Sequence, residues 1–165
     1  MNARALGLVI GLCVLASPAA AQELRPFEPG SMAKITSARA GKPFVLALWS
    51  LQCAHCPQEL ALFGGVLKKH PGLDLVLVST DTPDQGAAIS AALSRHGLGR
   101  AEAWVFADTF TERLQQEIDR RWHGELPRTY FHNADGSVRA VSGRLAMGEV
   151  MRWIEQQNRG IGKTK

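Results

Sequence analysis

The sequence predicts one α/β domain built on a central mixed β-sheet with helices on both faces. Strand-like apolar runs alternate with helical patterns over residues 43–122, the order expected of strands joined by helices. Residues 43–49 are apolar on both alternations, as in a central strand that is covered on both faces. After residue 124 the period changes, and two short strand patterns flank Asp135-Gly136, which predicts an antiparallel hairpin. The 165 residues are enough for a single domain of this kind.

The predicted elements follow one another with short connections. Strands are expected at residues 43–49, 73–79, 103–107, 128–133 and 137–141. Helices are expected from Pro57 to a stop at Pro71, and at residues 84–96, 109–122 and 146–158. In the first helix, Gly64 and Gly65 are a candidate bend. Thr109 and Glu112 form a candidate capping box, and Gly160 is expected just past the last helix.

Residues 1–21 have the pattern of a signal peptide. A short positive start precedes an apolar run at residues 6–15, and small residues before position 22 suit cleavage after Ala21. This pattern predicts export to the periplasm and a mature chain that is soluble, because no later segment is apolar for long enough to span a bilayer. Residues 22–41 are polar and contain proline, so we expect an N-terminal extension lying across the domain, with a short helix at 31–39. The domain itself is expected at residues 42–160, with a tail at 161–165.

The charge distribution argues against nucleic-acid binding. The formal net charge is +4, but the basic residues are scattered and form no stripe interleaved with aromatic side chains.

The cysteines are more informative than the charge. Cys13 belongs to the predicted leader, which leaves Cys53 and Cys56 in the mature chain. Disulfides in exported proteins normally serve as staples. A ring this short is a poor staple, worth about 2 kcal/mol against about 3 kcal/mol for a 15-residue loop. We therefore expect a redox-active pair, with a redox-inert domain holding a fixed disulfide as an alternative.

The two cysteines stand where a buried strand gives way to a helix. The first N–H groups of a helix lack intrahelical partners and carry partial positive charge, which stabilises a thiolate. Cys53 is therefore the expected nucleophile, and Cys56 the more buried thiol that resolves a mixed disulfide. His55 between them is either a solvent-facing residue or a group that stabilises the Cys53 thiolate and makes the disulfide more oxidising.

These residues resemble the exported thioredoxin-fold thiol-disulfide oxidoreductases of the TlpA and ResA kind, over residues 42–158. In that family a tryptophan stands four residues before the first cysteine, as Trp49 does, and an acid stands three residues after the second, as Glu59 does. An extra strand-helix unit is matched by residues 73–96. A cis-proline before a strand and an Asp-Gly turn is matched by Pro127 and Asp135-Gly136. The resemblance implies a thioredoxin fold.

The resemblance also assigns roles around the cysteines. Glu59 would accept or deliver the Cys56 proton; its alternative is an exposed first-turn acid that favours the helix dipole. Pro127 would be cis, with the peptide group of Leu126 facing the cysteines and pairing with the backbone of a bound substrate; an ordinary trans proline is the alternative. Trp49 belongs to the substrate side of the site in this scheme, although a core position is the more economical interpretation.

The sequence departs from the family at three places. Gln52 replaces the tryptophan that usually precedes the first cysteine, and Ala47 replaces the buried aspartate of thioredoxin. Between the cysteines, Ala54-His55 replaces a proline-bearing pair and is reminiscent of oxidants of the DsbA kind.

The resemblance implies a periplasmic enzyme that exchanges electrons with cysteines of client proteins, with no cofactor beyond its own disulfide and no metal. A reductant in cytochrome c maturation or metal-site assembly, supplied by a membrane-bound electron donor, is the main expectation. Gln52 and His55 favour a more oxidising enzyme instead. A copper-binding chaperone that uses Cys53, Cys56 and a histidine is a further alternative, because thiolates suit Cu(I).

Overall fold

The computed structural model describes residues 22–161, with side chains to residue 159. The predicted signal peptide, including Cys13, and residues 162–165 of the predicted tail lie outside this range. The strands are β1 (Leu24–Phe27), β2 (Phe44–Trp49), β3 (Leu75–Ser79), β4 (Glu102–Phe106), β5 (Arg128–His132) and β6 (Val138–Ser142). The helices are α1 (Ser31–Ser37), α2 (Cys56–Lys69), α3 (Gly86–Arg95), α4 (Thr111–Ile118) and α5 (Met147–Ile161). A 3₁₀ turn at Pro83–Gln85 precedes α3.

The strands form one mixed sheet in the order β1-β4-β3-β2-β5-β6. The first four strands of this order are parallel, whereas β5 is antiparallel to β2 and β6 is antiparallel to β5. The β5–β6 hairpin turns at Asp135-Gly136, where Gly136 has a φ of 84°. The predicted mixed sheet and its late hairpin are confirmed.

Strand β2 lies at the centre of the sheet with all six residues buried. Its side chains alternate between two apolar clusters. Val45, Ala47 and Trp49 pack with residues of α2, α3 and α5, whereas Phe44, Leu46 and Leu48 pack with residues of α1 and α4. Helices therefore cover both faces, as predicted, and this explains why β2 is apolar on both alternations.

Helix α2 begins at Cys56, has Pro57 in its first turn, and runs without a break through the two glycines. A side chain at Gly64 would overlap the backbone carbonyl oxygen of His96, whereas at Gly65 the nearest atom is Cε of Met147 at 3.7 Å. Gly64 therefore allows close contact between α2 and the end of α3.

Residues 22–41, predicted as an extension, contribute an edge strand that the sequence analysis did not predict. Strand β1 pairs in parallel with β4, and Phe27 is fully buried, its ring stacked on Phe106 with centroids 5.5 Å apart. Arg25 and Pro26 hide the strand pattern in this short segment, and an edge strand tolerates the proline. The partner of β1 lies far along the chain, so no local signal marks it.

Both ends of α4 differ from the prediction. The capping box at Thr109 and Glu112 does not form; α4 begins at Thr111, and the carboxylate of Asp108 accepts the N–H of Phe110 instead, at 2.8 Å. Because α4 ends at Ile118, Trp122 lies in the turn beyond it, where its indole N–H donates to the carbonyl of Glu125 at 2.9 Å.

Helix α5 also differs from the prediction, since it continues through Gly160 to Ile161. A glycine costs about 1 kcal/mol inside a helix and does not by itself end it. No helix within residues 22–161 has both the length and the apolar character needed to cross a membrane.

Candidate active site

The two cysteines are joined in a disulfide at the junction between β2 and α2. Cys56 is the first residue of α2 and is fully buried. Cys53 lies in the loop before the helix and is partly exposed. This difference in exposure is the one expected of a reachable first sulfur and a protected second one.

His55 occupies the N-cap position of α2 and is exposed. Its side chain makes no capping hydrogen bond to the helix. The imidazole is therefore solvent-facing, as one interpretation of the sequence held. That His55 stabilises the Cys53 thiolate stays a prediction.

Glu59 is buried, with 3% of its surface exposed, so the interpretation as an exposed first-turn acid is wrong. Its carboxylate accepts the backbone N–H of Leu145 at 3.0 Å and the hydroxyl of Thr129 at 3.2 Å. Burial raises the pKa of Glu59, and the bonds from Leu145 and Thr129 and the charge of Arg144 oppose that rise. Glu59 thus ties α2 to β5 and to the segment before α5.

The bond between Leu126 and Pro127 is cis, as predicted, and the trans alternative is wrong. Pro127 directly precedes β5, whose first residue Arg128 lies opposite Leu48 of β2. Because β5 runs antiparallel to β2, Pro127 precedes β5 at the end of β2 from which the cysteine loop leaves. The pairing of Leu126 with substrate backbone stays a prediction.

Trp49 is the last residue of β2 and is buried in the apolar cluster shared with α2 and α3. This position supports the interpretation as a core residue. Its indole Nε1 is buried and has no hydrogen-bond partner among residues 22–159. An unpaired buried donor is uncommon in a folded protein.

Asp81 is the residue that the sequence analysis missed. It lies just beyond β3 and is buried, and its carboxylate accepts the hydroxyl of Ser50 and the N–H of Leu51, each at 2.9 Å, and the hydroxyl of Ser79 at 2.6 Å. The Ser50 hydroxyl in turn accepts the N–H of Gln52 at 3.1 Å. Asp81 therefore fixes the loop that leads into Cys53.

A signal for Asp81 was present in the sequence. Polar residues follow two apolar strands, Ser50 after β2 and Asp81 after β3. Parallel strands that are neighbours end at the same edge of a sheet, and such edges hold the binding sites of open α/β sheets. The order of β2 and β3 in the sheet was the missing information.

The remaining departures from the family pattern have simple structural positions. Gln52 is exposed beside Cys53, and Ala47 is buried opposite Thr129 of β5.

Within residues 22–159, no group of three or more histidine, cysteine, aspartate and glutamate side chains is placed to hold a metal ion.

Comparison with solved structures identifies the fold of the chain. No protein-family model and no curated protein sequence matches the chain. Among solved structures, the chain is similar to DsbF of Mycobacterium tuberculosis in mixed oxidised and reduced forms, at 24% identity over 73% of this chain and 84% of that one, with a TM-score of 0.57. It is similar to a secreted disulfide oxidoreductase of the same organism, homologous to Escherichia coli DsbE, at 20% identity over 73% and 85% of the two chains, with a TM-score of 0.57.

A third similar structure is a thiol:disulfide interchange protein of the thioredoxin family from Chlorobium tepidum, at 17% identity over 73% of this chain and 83% of that one, with a TM-score of 0.56. With the observed mixed sheet and five helices, these similarities confirm that the chain has a thioredoxin-like fold.

Proposed function

We propose that the protein is a thiol-disulfide oxidoreductase that exchanges two electrons with cysteines of client proteins. One observation carries the proposal: in a thioredoxin-like fold, Cys53 and Cys56 form a disulfide at the start of α2, with the first sulfur partly exposed and the second fully buried. The names of the similar structures, among them a disulfide oxidoreductase and a thiol:disulfide interchange protein, support it.

The reductive reaction proceeds in two exchanges. In the reduced protein, the Cys53 thiolate attacks one sulfur of a client disulfide, which forms a mixed disulfide and releases the other client sulfur as a thiolate. The Cys56 thiolate then attacks the Cys53 sulfur, which releases the second client thiolate and leaves the Cys53–Cys56 disulfide. Two electrons pass to the client, and a dithiol donor restores the reduced protein.

The neighbouring residues have distinct roles in this scheme. Glu59, one helical turn after Cys56, takes the proton from the Cys56 thiol before that thiol attacks. His55 tunes the stability of the Cys53 thiolate from the helix start. The peptide group of Leu126, before cis Pro127, pairs with the backbone of the client segment, and Trp49 supports that side of the site.

For the direction of electron flow, we propose a reductant of the TlpA and ResA kind that acts in the periplasm. Its clients would be proteins of cytochrome c maturation or of metal-site assembly, and a membrane-bound donor would supply the electrons. The leader pattern at residues 1–21 and the spacing of Trp49, the cysteine pair and Glu59 support this proposal. An oxidant of the DsbA kind is favoured by one observation, the histidine at the N-cap between the cysteines.

The reduction potential of the Cys53–Cys56 couple separates these directions. The chain without residues 1–21 is equilibrated in dithiothreitol and glutathione buffers. Free thiols are then alkylated, and mass spectrometry measures the fraction of the protein that carries the alkyl groups. A potential near about −270 mV, as in thioredoxin, supports a reductant, and one near about −120 mV, as in DsbA, supports an oxidant. A pair that no buffer reduces reversibly would falsify the proposed function.

Trapping tests the assignment of the two sulfurs. Cys56→Ala is expected to accumulate mixed disulfides with client proteins through Cys53, because the resolving thiol is absent. Cys53→Ala is the matched control and should trap far less, because Cys56 is fully buried. Equal trapping by the two variants would contradict the roles given to the sulfurs.

A further inference from the structure

The guanidinium of Arg128 connects the loop that carries cis Pro127 to the β5–β6 hairpin. Arg128 is the first residue of β5, and its side chain is only 13% exposed. Its Nη2 lies 3.0 Å from Oδ2 of Asp119, just beyond α4, and its Nη1 lies 3.0 Å from Oε1 of Glu125. Nη1 also donates to the hydroxyl of Ser142, at the end of β6. One side chain therefore ties the segment between α4 and β5 to both strands of the hairpin.

The partners of Arg128 are also bonded to one another, so they form one cluster. The Ser142 hydroxyl donates to Oε1 of Glu125 at 2.8 Å. The phenol of Tyr130 accepts the Nε–H of Arg128 at 3.2 Å and donates to Oδ2 of Asp119 at 3.4 Å. The guanidinium also lies over the Tyr130 ring, 5.1 Å from its centroid. An arginine with several charge-assisted hydrogen bonds of this kind holds its neighbours in one geometry.

The cluster encloses Leu126 in the sequence, because Glu125 and Arg128 are paired with each other across the Leu126–Pro127 bond. After that bond, the carbonyl of Pro127 accepts the N–H of Gly143 at 2.8 Å. Leu126 itself is partly exposed, and no hydrogen bond within residues 22–159 uses its N–H or its carbonyl. Backbone groups that are reachable and have no internal partner can pair with the backbone of a bound polypeptide. A free backbone segment is thus held between fixed ends.

We infer that Arg128 is a positioning residue for client binding, which fixes Leu126 so that its backbone pairs with the client polypeptide beside the attacked disulfide. The inference rests on the proposed function, since it concerns how the same site receives its client. A segment that is already fixed loses little freedom when the client binds, and this favours binding. Without Arg128, the carboxylates of Asp119 and Glu125 lose a counter-charge that they share, and the segment that carries Leu126 is no longer held to the hairpin.

The test compares model clients that differ in one backbone N–H. Each client is a short synthetic peptide with one disulfide, and its partner is the same peptide N-methylated at the residue before or after a cysteine. The rate at which each peptide oxidises the reduced protein is divided by the rate for hydroxyethyl disulfide, which has no peptide backbone. At one of the two positions the parent protein should react about tenfold more slowly with the N-methylated peptide, because backbone hydrogen bonds to the client are lost.

Variants connect this discrimination to Arg128. Arg128→Gln should lower the relative rate for the unmethylated peptide about tenfold and leave little difference between the two peptides, because pairing at Leu126 is already lost. Arg128→Lys keeps the charge without the planar fork of donors, so its rates should lie between those of the parent protein and Arg128→Gln. Arg121→Gln is the matched control and should keep the full discrimination, because Arg121 also pairs with Asp119, at 3.6 Å, but has a side chain that is 90% exposed.

Glu125→Gln gives a second route to the same test if Arg128→Gln does not fold. It removes the cluster's carboxylate next to Leu126, on a side chain that is 43% exposed, and should cause a smaller loss of the same kind. If the parent protein does not reduce hydroxyethyl disulfide, the proposed function and this inference both fail. If it does, the inference alone is overturned when the parent protein reacts equally with both peptides, or when Arg128→Gln and Glu125→Gln discriminate between them as fully as Arg121→Gln.

Discussion

Glu59 is a carboxyl group that the fold buries one helical turn after Cys56. Burial raises its pKa, while the N–H of Leu145 and the hydroxyl of Thr129 hold its ionised form and oppose part of that rise. A raised pKa brings the ionisation of the group closer to neutral pH, where a carboxyl can both accept a proton and return it. This property suits the transfer of the Cys56 proton during exchange.

Replacement of Glu59 by Gln is expected to change the pH dependence of the reaction. Below its raised pKa, Glu59 is protonated and cannot accept the Cys56 proton, so the rate of mixed-disulfide resolution in the parent protein should rise with pH through that pKa. Glu59→Gln should lack this rise and be slower near neutral pH by about 10²-fold. Rapid acid quench of the mixed disulfide with a model peptide, at pH values from 4.5 upwards, measures the rate.

Stability measured over the same pH range is the independent check that this carboxyl titrates as described. Because the folded pKa of Glu59 lies above its ordinary value of 4.5, the native state binds more protons than the unfolded state in the window between the two. The unfolding free energy of the oxidised protein should therefore fall as pH rises through that window. Glu155→Gln, on an exposed position of α5, should keep this fall. Identical pH profiles of the unfolding free energy in the parent protein and Glu59→Gln would mean that folding does not raise the pKa of Glu59.

At the scale of elements, the contact between α2 and the end of α3 depends on one glycine. Gly64→Ala places a methyl group on the carbonyl oxygen of His96, and because that oxygen belongs to the backbone, the two helices must separate. We expect a loss of about 1–3 kcal/mol in the free energy of unfolding. Urea denaturation of the oxidised protein measures it.

The neighbouring glycine provides the matched control. At Gly65 the nearest atom to an added methyl is the Cε of Met147 at 3.7 Å, an ordinary contact with a flexible side chain. Alanine also favours a helix interior over glycine by up to about 1 kcal/mol, so Gly65→Ala should be neutral or slightly stabilising. If Gly64→Ala proves as stable as Gly65→Ala, the close contact with His96 does not exist in solution.

Some elements could be predicted from residues that are close together in the sequence, and others could not. Strand β2 and helix α2 were predictable because their apolar patterns, Pro57 and the stop at Pro71 all act within a few residues. The cis bond at Pro127 was predicted from the family resemblance rather than from local pattern. The burial of Glu59 depends on Leu145, which lies 86 residues away, and a first-turn acid has the same local pattern whether it is exposed or covered.

The helix ends were missed for a related reason. Thr109 and Glu112 have the spacing of a capping box, but α4 starts later because Asp108 satisfies the N–H of Phe110. Several short polar side chains in one segment can each end or begin a helix, and the surrounding packing selects among them.

At the scale of the molecule, the candidate site is assembled from separate parts of the chain at one edge of the sheet. Asp81 reaches it from β3, Pro127 from the start of β5, and Glu59 connects α2 to Leu145 before α5. The cysteine loop is therefore held by Asp81 from the end of β3, and the helix that follows it is held through Glu59 by Thr129 and Leu145.

The last test concerns β1, the edge strand that two other strands, β4 and β3, separate from β2. Phe27 of β1 is fully buried, stacks on Phe106, and meets the ring of Trp104 edge-on with centroids 6.1 Å apart. Phe27→Ala should lower the free energy of unfolding by about 3–5 kcal/mol, the usual cost of emptying a buried phenylalanine site. The reduction potential of Cys53–Cys56 should stay unchanged, because β3 and β4 separate β1 from the strand that carries the cysteine loop.

Val138→Ala in the other edge strand, β6, is the control for a substitution at the sheet margin. Val138 is 50% exposed, so its truncation should change the free energy of unfolding by about 0.5 kcal/mol or less. Chemical denaturation of both variants, with the potential measured in the same samples, compares the two edges. Equal stabilities would mean that residues 22–41 lie on the domain as a dispensable extension, whereas a large loss confined to Phe27→Ala makes the N-terminal strand part of the folding unit that supports the disulfide.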